Sequence, residues 1–523
     1  MIHGLGRMTF RRHLTAPFAA LALVFGCSGG EPPKPAIAAD STYISEQVFT
    51  VGYGRIADAY LQPVDMQRLG VGGLKGLASI DPAVTVEANG KTVRLYVSDK
   101  LVTQYGTPPA HDAAAWAALT AHAVEKVRLH SAPVRTSTTD RVYQAVFDAV
   151  TADLDGYSRY AAPQRATTER AQREGYGGIG LSLETQSGGR YVIRNVLERG
   201  PADRAGVRDG DQLVAIDGET VSALTDTAVR DRLRGTAGSL VLLTVARDGM
   251  PPRRLPIRRD RIVPNMVSHS VSDGVAVIKL ERFNATTATN LRDAVLAARR
   301  APNPVRGFVL DLRGNPGGLL DQAVAVADLF IRRGRIIATE GRHPDARQRF
   351  DAAADDVADG MPIVVLVDGR TASSAEVVAA ALQDSGRAVV VGTSSYGKGS
   401  VQTVTRLPND AELFLTWSRI FTPAGYTLHK QGVHPTICTS VNAPDAVTVL
   451  ADLRDGHLRP APQIASWRAA AADSDAAVLR LRDTCPAREH DAALDVQVAK
   501  HLLGEPSLYR QALAFASTAV AER

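Results

Sequence analysis

Apolar and polar positions follow distinct rhythms along this chain. Helical periodicity over Val48–Tyr60, Met66–Ile80, Ala113–Leu129 and Asp140–Leu154 predicts a helical region spanning 46–170. Val84–Ser98 interrupts it with strand-like alternation about Asn89-Gly90, a hairpin signal. From Ile262 the pattern changes again. Gly274–Leu280, Gly307–Arg313, Ile363–Val367 and Ala388–Val391 are strand-like and mostly apolar, the third a β-branched run, as expected of strands buried on both faces. They alternate with helical stretches at Thr287–Arg300, Leu319–Ile331 and a third ending near Gln383, which predicts an α/β core over 262–440. Leu413–Phe421 adds a further strand. Beyond Pro444 the chain is rich in Ala, Leu and Arg, and Ala476–Arg482, Ala492–Leu503 and Ser507–Ala521 predict a helical segment over 441–523. The fold class expected is therefore α/β and α+β, multidomain, with helical regions at both ends.

The chemistry concentrates between Met361 and Gln402. The strand Ile363–Val367 is broken by Asp368-Gly369-Arg370, and Ser373 and Ser374 stand where a helix begins. After the next strand comes Lys398, flanked by Gly397 and Gly399. A serine hydroxyl attacks only when something removes its proton, and a lysine can do so only when burial keeps it neutral. The helix start also presents unpaired N–H groups, that of Ser374 foremost, to a developing oxyanion. These residues alone leave open a plainer alternative: Ser373 as a helix N-cap and Lys398 as a solvated loop charge.

Thr371-Ala372-Ser373-Ser374-Ala375-Glu376, Gly386-Arg387-Ala388, Gly397-Lys398-Gly399 and Gln402 together resemble the core of the C-terminal processing peptidases, the tail-specific serine proteases of family S41. The resemblance implies a ClpP/crotonase-like protease core, with Ser373 as nucleophile, Lys398 as general base and Gln402 orienting the lysine. The motif departs from the family at Ser374-Ala375, where Ala-Ser is usual, so Ser374 competes with Ser373 for the nucleophile's place. Asp311-Leu312-Arg313-Gly314-Asn315-Pro316-Gly317-Gly318 matches a second family block. It implies that Gly318 N–H joins Ser374 N–H as the oxyanion hole, and that Asp311 and Arg313 hold loops together. Residues 175–258 resemble a PDZ domain, a β-sandwich-like peptide reader. Gly177, Gly178, Ile179, Gly180 and Leu181 are its expected carboxylate loop, Leu181–Leu183 its edge strand and Thr227–Leu233 its groove helix. Asp155-Gly156-Tyr157-Ser158-Arg159-Tyr160 resembles the turn by which the family leaves its N-terminal helices. The implied activity is endoproteolysis of proteins recognised by small or apolar C-termini, with a resting dyad that is misaligned in some relatives. The alternative is an inactive PDZ scaffold that binds tails. Some relatives work with helical-repeat adaptors, and the C-terminal helices are candidates for docking or self-assembly into a homo-oligomer.

Composition narrows the picture modestly. With 523 residues, 45% apolar and 22% charged, the chain has ample core for several domains, and a net charge of +5 without basic-aromatic runs does not imply nucleic acid. Arg7, Arg11 and Arg12 precede a short apolar run, Ala16–Phe25, that ends at Gly26-Cys27. This resembles a lipoprotein signal (1–27), with Cys27 lipidated, a Pro/Gly-rich tether (28–45) and the body on the periplasmic side of a bacterial envelope, held to the membrane by the lipid. Ordinary signal cleavage near Ala36-Ile37-Ala38 is the competing reading. Cys438 and Cys485 remain as a pair available for a disulfide in an oxidising compartment. Twelve histidines show no metal-ligand spacing, so neither metal nor cofactor is expected. Gly175–Gly180 and Gly392–Lys398 spell nucleotide-binding patterns, but each runs on into strand-like sequence instead of opening a helix.

Overall fold

The computed structural model describes residues 37–441, 445–457, 460–469, 475–487 and 492–517. Cys27 and the export segment lie outside them, as does the first half of the expected tether (28–36). The remainder of that tether begins the helix Ile37–Ala59, whose Ala-rich start follows the last of the prolines.

At the centre is a sheet ordered Val267–Ser272, Val275–Leu280, Gly307–Asp311, Ile363–Val367, Val389–Gly392, Ile437–Cys438. All neighbours pair in parallel except the first two. Burial on both faces explains why these strands are mostly apolar. Ile363, Val365 and Val367 pack with helices Thr287–Arg299, Leu320–Asp328 and Ser374–Asp384. Val364 and Leu366 point the other way, with Val309, Val389 and Val391, against helices Ala446–Arg454, Ala492–Gly504 and Pro506–Ser517. The C-terminal helices thus form a layer of the core. Each buried Leu or Val there contributes about 1.5–3 kcal/mol.

A second sheet runs Gln348–Asp351, Arg335–Glu340, Glu412–Phe421, Ser400–Arg406, and Arg159–Ala161 also pairs with Glu412–Phe421. Leu413 and Leu415 from its long strand join the aromatic core of the N-terminal helices, around Phe49, Tyr53, Trp116 and Phe147. The expected hairpin gains a third strand, Lys100–Gly106. The region over 175–258 forms its own sheet, with Ser182–Gln186 at one edge and helix Asp226–Leu233 beside it. A two-stranded ribbon, Tyr176–Gly178 against Asp260–Ile262, straps its two ends together.

Candidate active site

Ser373 sits where the chain turns from strand into helix, with φ 56° and ψ −119°. A non-glycine residue in this conformation costs of order 1–3 kcal/mol and persists only when its surroundings impose it. Here Ala372 N–H donates to Asn315 O at 2.9 Å, and Ser373 N–H donates to Glu376 Oε2 at 2.7 Å. The loop Gly314–Gly318 lies directly against this turn. A Cβ at Gly317 would stand 2.8 Å from Ser373 Cβ, and one at Gly318 only 2.0 Å from Phe283 O, so both positions require glycine. Gly317 N–H is taken by Asn315 Oδ1. Among the described residues, the N–H groups of Gly318 and Ser374 donate to no protein acceptor. The Ser374 hydroxyl donates to Gly318 O at 2.9 Å, tying the two N–H donors' residues together.

Lys398 lies between two glycines that the fold also requires. Cβ atoms at Gly397 and Gly399 would fall 2.8 Å from Lys430 and 2.0 Å from His429 backbone. Burial, and then the Arg159 guanidinium, hold the ammonium below the ordinary lysine range, while Glu376 and Asp155 oppose them. Its Nζ is 5.3 Å from the Tyr157 ring centroid. Tyr157 is set there by the Asp155 turn, where Asp155 Oδ1 accepts from Tyr157 N–H, Ser158 N–H and Thr416 Oγ1. Among the described residues no hydrogen bond joins Ser373 Oγ to Lys398 Nζ.

The link between the two is Glu376, wholly buried at helix position N3. Its Oε2 accepts both Ser373 N–H and Lys398 N–H (2.9 Å), and its Oε1 accepts Gly397 N–H (2.6 Å) and Ser395 Oγ (2.5 Å). Burial pushes this carboxyl's pKa up, and those four hydrogen bonds pull against it. Sequence reasoning used Glu376 only to anchor the motif. Its Ser-x-x-Glu spacing from Ser373 is the capping-box signal that could have found it.

Other expected residues fall as follows. A register shift between Val401 and Gln402 turns the Gln402 amide to Ser400 Oγ (2.9 Å) and Thr416 Oγ1 (3.3 Å), and it makes no hydrogen bond to Lys398 among the described residues. Asp311 and Arg313 pair, and Arg313 reaches Asp495 of a C-terminal helix at 3.0 Å. Gly178, Ile179, Gly180 and Leu181 line a groove of about 260 Å³ between the edge strand and helix Asp226–Leu233. Gly177 does not line it: Gly177 belongs to the strap, beneath Gly235, whose carbonyl a Cβ would meet at 1.9 Å. Cys438 and Cys485 are joined as a disulfide. Among the described residues no group of three metal-ligating side chains converges.

Residues 274–439 match the model of peptidase family S41, and 192–247 that of a PDZ domain. A carboxy-terminal-processing protease of Bartonella bacilliformis is 37% identical over 296 residues, which are 56% of this chain and 68% of that protein. The chain belongs to peptidase family S41. Two further S41 relatives are the carboxy-terminal processing protease CtpA of Bacillus subtilis and a probable CtpA-like serine protease of Staphylococcus aureus. Each is 32% identical, and the match covers 54% and 59% of this chain and 60% and 62% of theirs. Among solved structures, the photosystem II D1 C-terminal processing protease aligns over 75% of this chain and 92% of its own, at 25% identity and TM-score 0.37. The S41 match ends at Thr439, so the C-terminal helices that cover the sheet lie outside it.

Proposed function

We propose that this S41 chain is a serine endopeptidase working through Ser373 and Lys398 on proteins presented by their C-terminal tails. One observation carries the reading. A single buried oxygen, Glu376 Oε2, holds the backbone N–H of both residues beside two N–H groups free to receive an oxyanion. With its pKa lowered by burial, Lys398 takes the Ser373 proton as Oγ attacks the scissile carbonyl. The oxyanion forms between the N–H groups of Gly318 and Ser374, each donor being worth about 10²- to 10³-fold in kcat. Lys398 then protonates the leaving amine, and water attacking the acyl-enzyme gives back its proton by the same route. With both backbones fixed, rotation of the lysine side chain away from Tyr157 completes the dyad, and we assign the present arrangement to the resting enzyme.

The substrate tail adds as a strand beside Ser182–Gln186, with its carboxylate against the Gly178–Leu181 loop. We further place the protein outside the cytoplasmic membrane, anchored through a lipid on Cys27. The disulfide fits an oxidising compartment. The test is cleavage of an unfolded protein with an apolar tail by the wild type, Ser373→Ala and Lys398→Ala. Loss in both variants is expected. Equal cleavage by all three refutes the dyad, and tail binding with no cleavage by any leaves a PDZ scaffold.

A further inference from the structure

The segment beyond the S41 match touches the catalytic lysine's loop at one charged residue. Arg482, closing helix Asp475–Arg482, donates from Nη1 to Gln431 O and from Nη2 to Ser395 O, both at 2.7 Å. These carbonyls belong to the loop that carries Lys398 and to the loop packed against its flanking glycines, and the two are further joined where Lys430 N–H donates to Gly397 O. The Ser395 hydroxyl passes the constraint inward, donating to Glu376 Oε1 and accepting from Val433 N–H at 2.7 Å. From Glu376 it reaches the N–H groups of Gly397, Lys398 and Ser373. Neighbouring contacts fix Arg482 itself: Ser394 N–H donates to Cys485 O, Thr484 Oγ1 meets His434 Nε2 at 3.0 Å, and the disulfide returns the segment to the sheet edge at Cys438. The guanidinium also lies in the field of Glu376, which opposes the effect of its burial.

We propose that Arg482 is a positioning residue for the dyad, by which the C-terminal segment holds the loop of Lys398 in place. This inference rests on the Ser–Lys reading. Arg482 touches neither reacting atom; it acts through Ser395 and Glu376. The charged and titratable groups that face Lys398 directly are Arg159, Asp155, Tyr157 and Glu376, and of these Arg482 acts on Glu376.

The test is Arg482→Met and Arg482→Lys in the full chain, with a fluorogenic peptide bearing an apolar tail. Arg482→Met is expected to lower kcat about tenfold to a hundredfold, the range for losing hydrogen bonds from a charged donor, with KM little changed. Removing a cation from the field of Glu376 disfavours the carboxylate that holds the lysine loop, so the acid limb of the kcat profile moves to higher pH. Amide hydrogen exchange at Gly397 and Lys398 should accelerate, and Arg482→Lys should recover part of each effect. Wild-type kcat, pH limb and exchange in a folded Arg482→Met protein overturn the inference. So does a loss that tracks the melting temperature alone, with no movement of the pH limb and no rescue by lysine. Cleavage that survives Ser373→Ala in the same assay overturns the dyad reading, and the inference falls with it.

Discussion

Replacing Glu376 by glutamine separates the stability of this site from its geometry. The carboxylate accepts four hydrogen bonds, two at each oxygen, and is wholly buried. Glutamine keeps one acceptor oxygen and turns an NH₂ group towards the other two donors. If the amide oxygen replaces Oε2, Ser395 Oγ and Gly397 N–H lose their acceptor; if it replaces Oε1, Ser373 and Lys398 lose theirs. Each orphaned buried donor costs about 1–3 kcal/mol, so the pair costs about 2–6 kcal/mol. Against this, burying a neutral amide avoids a carboxylate's desolvation, which is itself several kcal/mol. The two nearly offset each other, and the melting temperature should move by only a few degrees. The dyad is not offset. In one orientation the lysine loop loses two of its three hydrogen bonds to Glu376, in the other it loses that of Lys398 while Ser373 loses its own, and a displacement of about 1 Å near the chemistry can cost on the order of 10² in rate. Steady-state kinetics on a tail peptide should therefore show kcat down by about 10²-fold. Peptide binding to the PDZ groove, followed by calorimetry in a Ser373→Ala background, should be unchanged. A Glu376→Gln enzyme with kcat within about threefold of wild type would refute the idea that this carboxylate holds the dyad together.

Three other outcomes are expected. Gly318→Ala should drop kcat by about 10²- to 10³-fold, because its Cβ, 2.0 Å from Phe283 O, forces the oxyanion loop to shift; steady-state kinetics decides it. Activity should rise with pH through the lowered pKa of Lys398, and Arg159→Met, which removes a cation that lowers it, should move that rise to higher pH in a pH–rate profile. His434, buried against Trp467, has its imidazole pulled down to about 4 by desolvation, from an ordinary 6.5. Its contribution to stability is complete above about pH 6.5 and is lost as pH falls towards 4, a difference of about 3 kcal/mol that denaturation across this range should show and that His434→Gln should flatten.

What the sequence made legible was whatever a local pattern encodes. Mostly apolar runs marked four central strands, with Ile363–Val367 matching to the residue, and the motif blocks brought Ser373, Lys398 and Gly318 to one edge of that sheet. Long-range consequences were not legible. The role of Glu376 depends on donors near Lys398 that only the fold brings beneath the helix. Amphipathic C-terminal helices announce an apolar face without naming its partner, and here the partner is the far face of the sheet. The short strands Arg335–Glu340 and Gln348–Asp351 carry too little apolar pattern to stand out, and of the five strands of the second sheet only Leu413–Phe421 was given a range. Gly177 was placed in the carboxylate loop because consecutive glycines look alike, whereas its contact with Gly235 is what distinguishes it.

The unfavourable backbone at Ser373 needs support from every side, and the C-terminal segment supplies it at three points. Asp495, which also accepts from Thr439 Oγ1, holds Arg313 at the root of the Gly314–Gly318 loop. Arg468 pairs with Asp384 at the far end of the helix that Ser373 opens, where Asp384 also accepts from Ala424 N–H. Arg482 holds the lysine loop. The hydrophobic side of the same segment covers Val309, Val364, Leu366, Val389 and Val391, so losing its packing would also release its charged contacts. A parallel sheet is stable only with both faces covered. The chain that completes this one also fixes the three pieces between which the reaction would run, and this ties the conformation of the site to the integrity of a region the S41 pattern does not include.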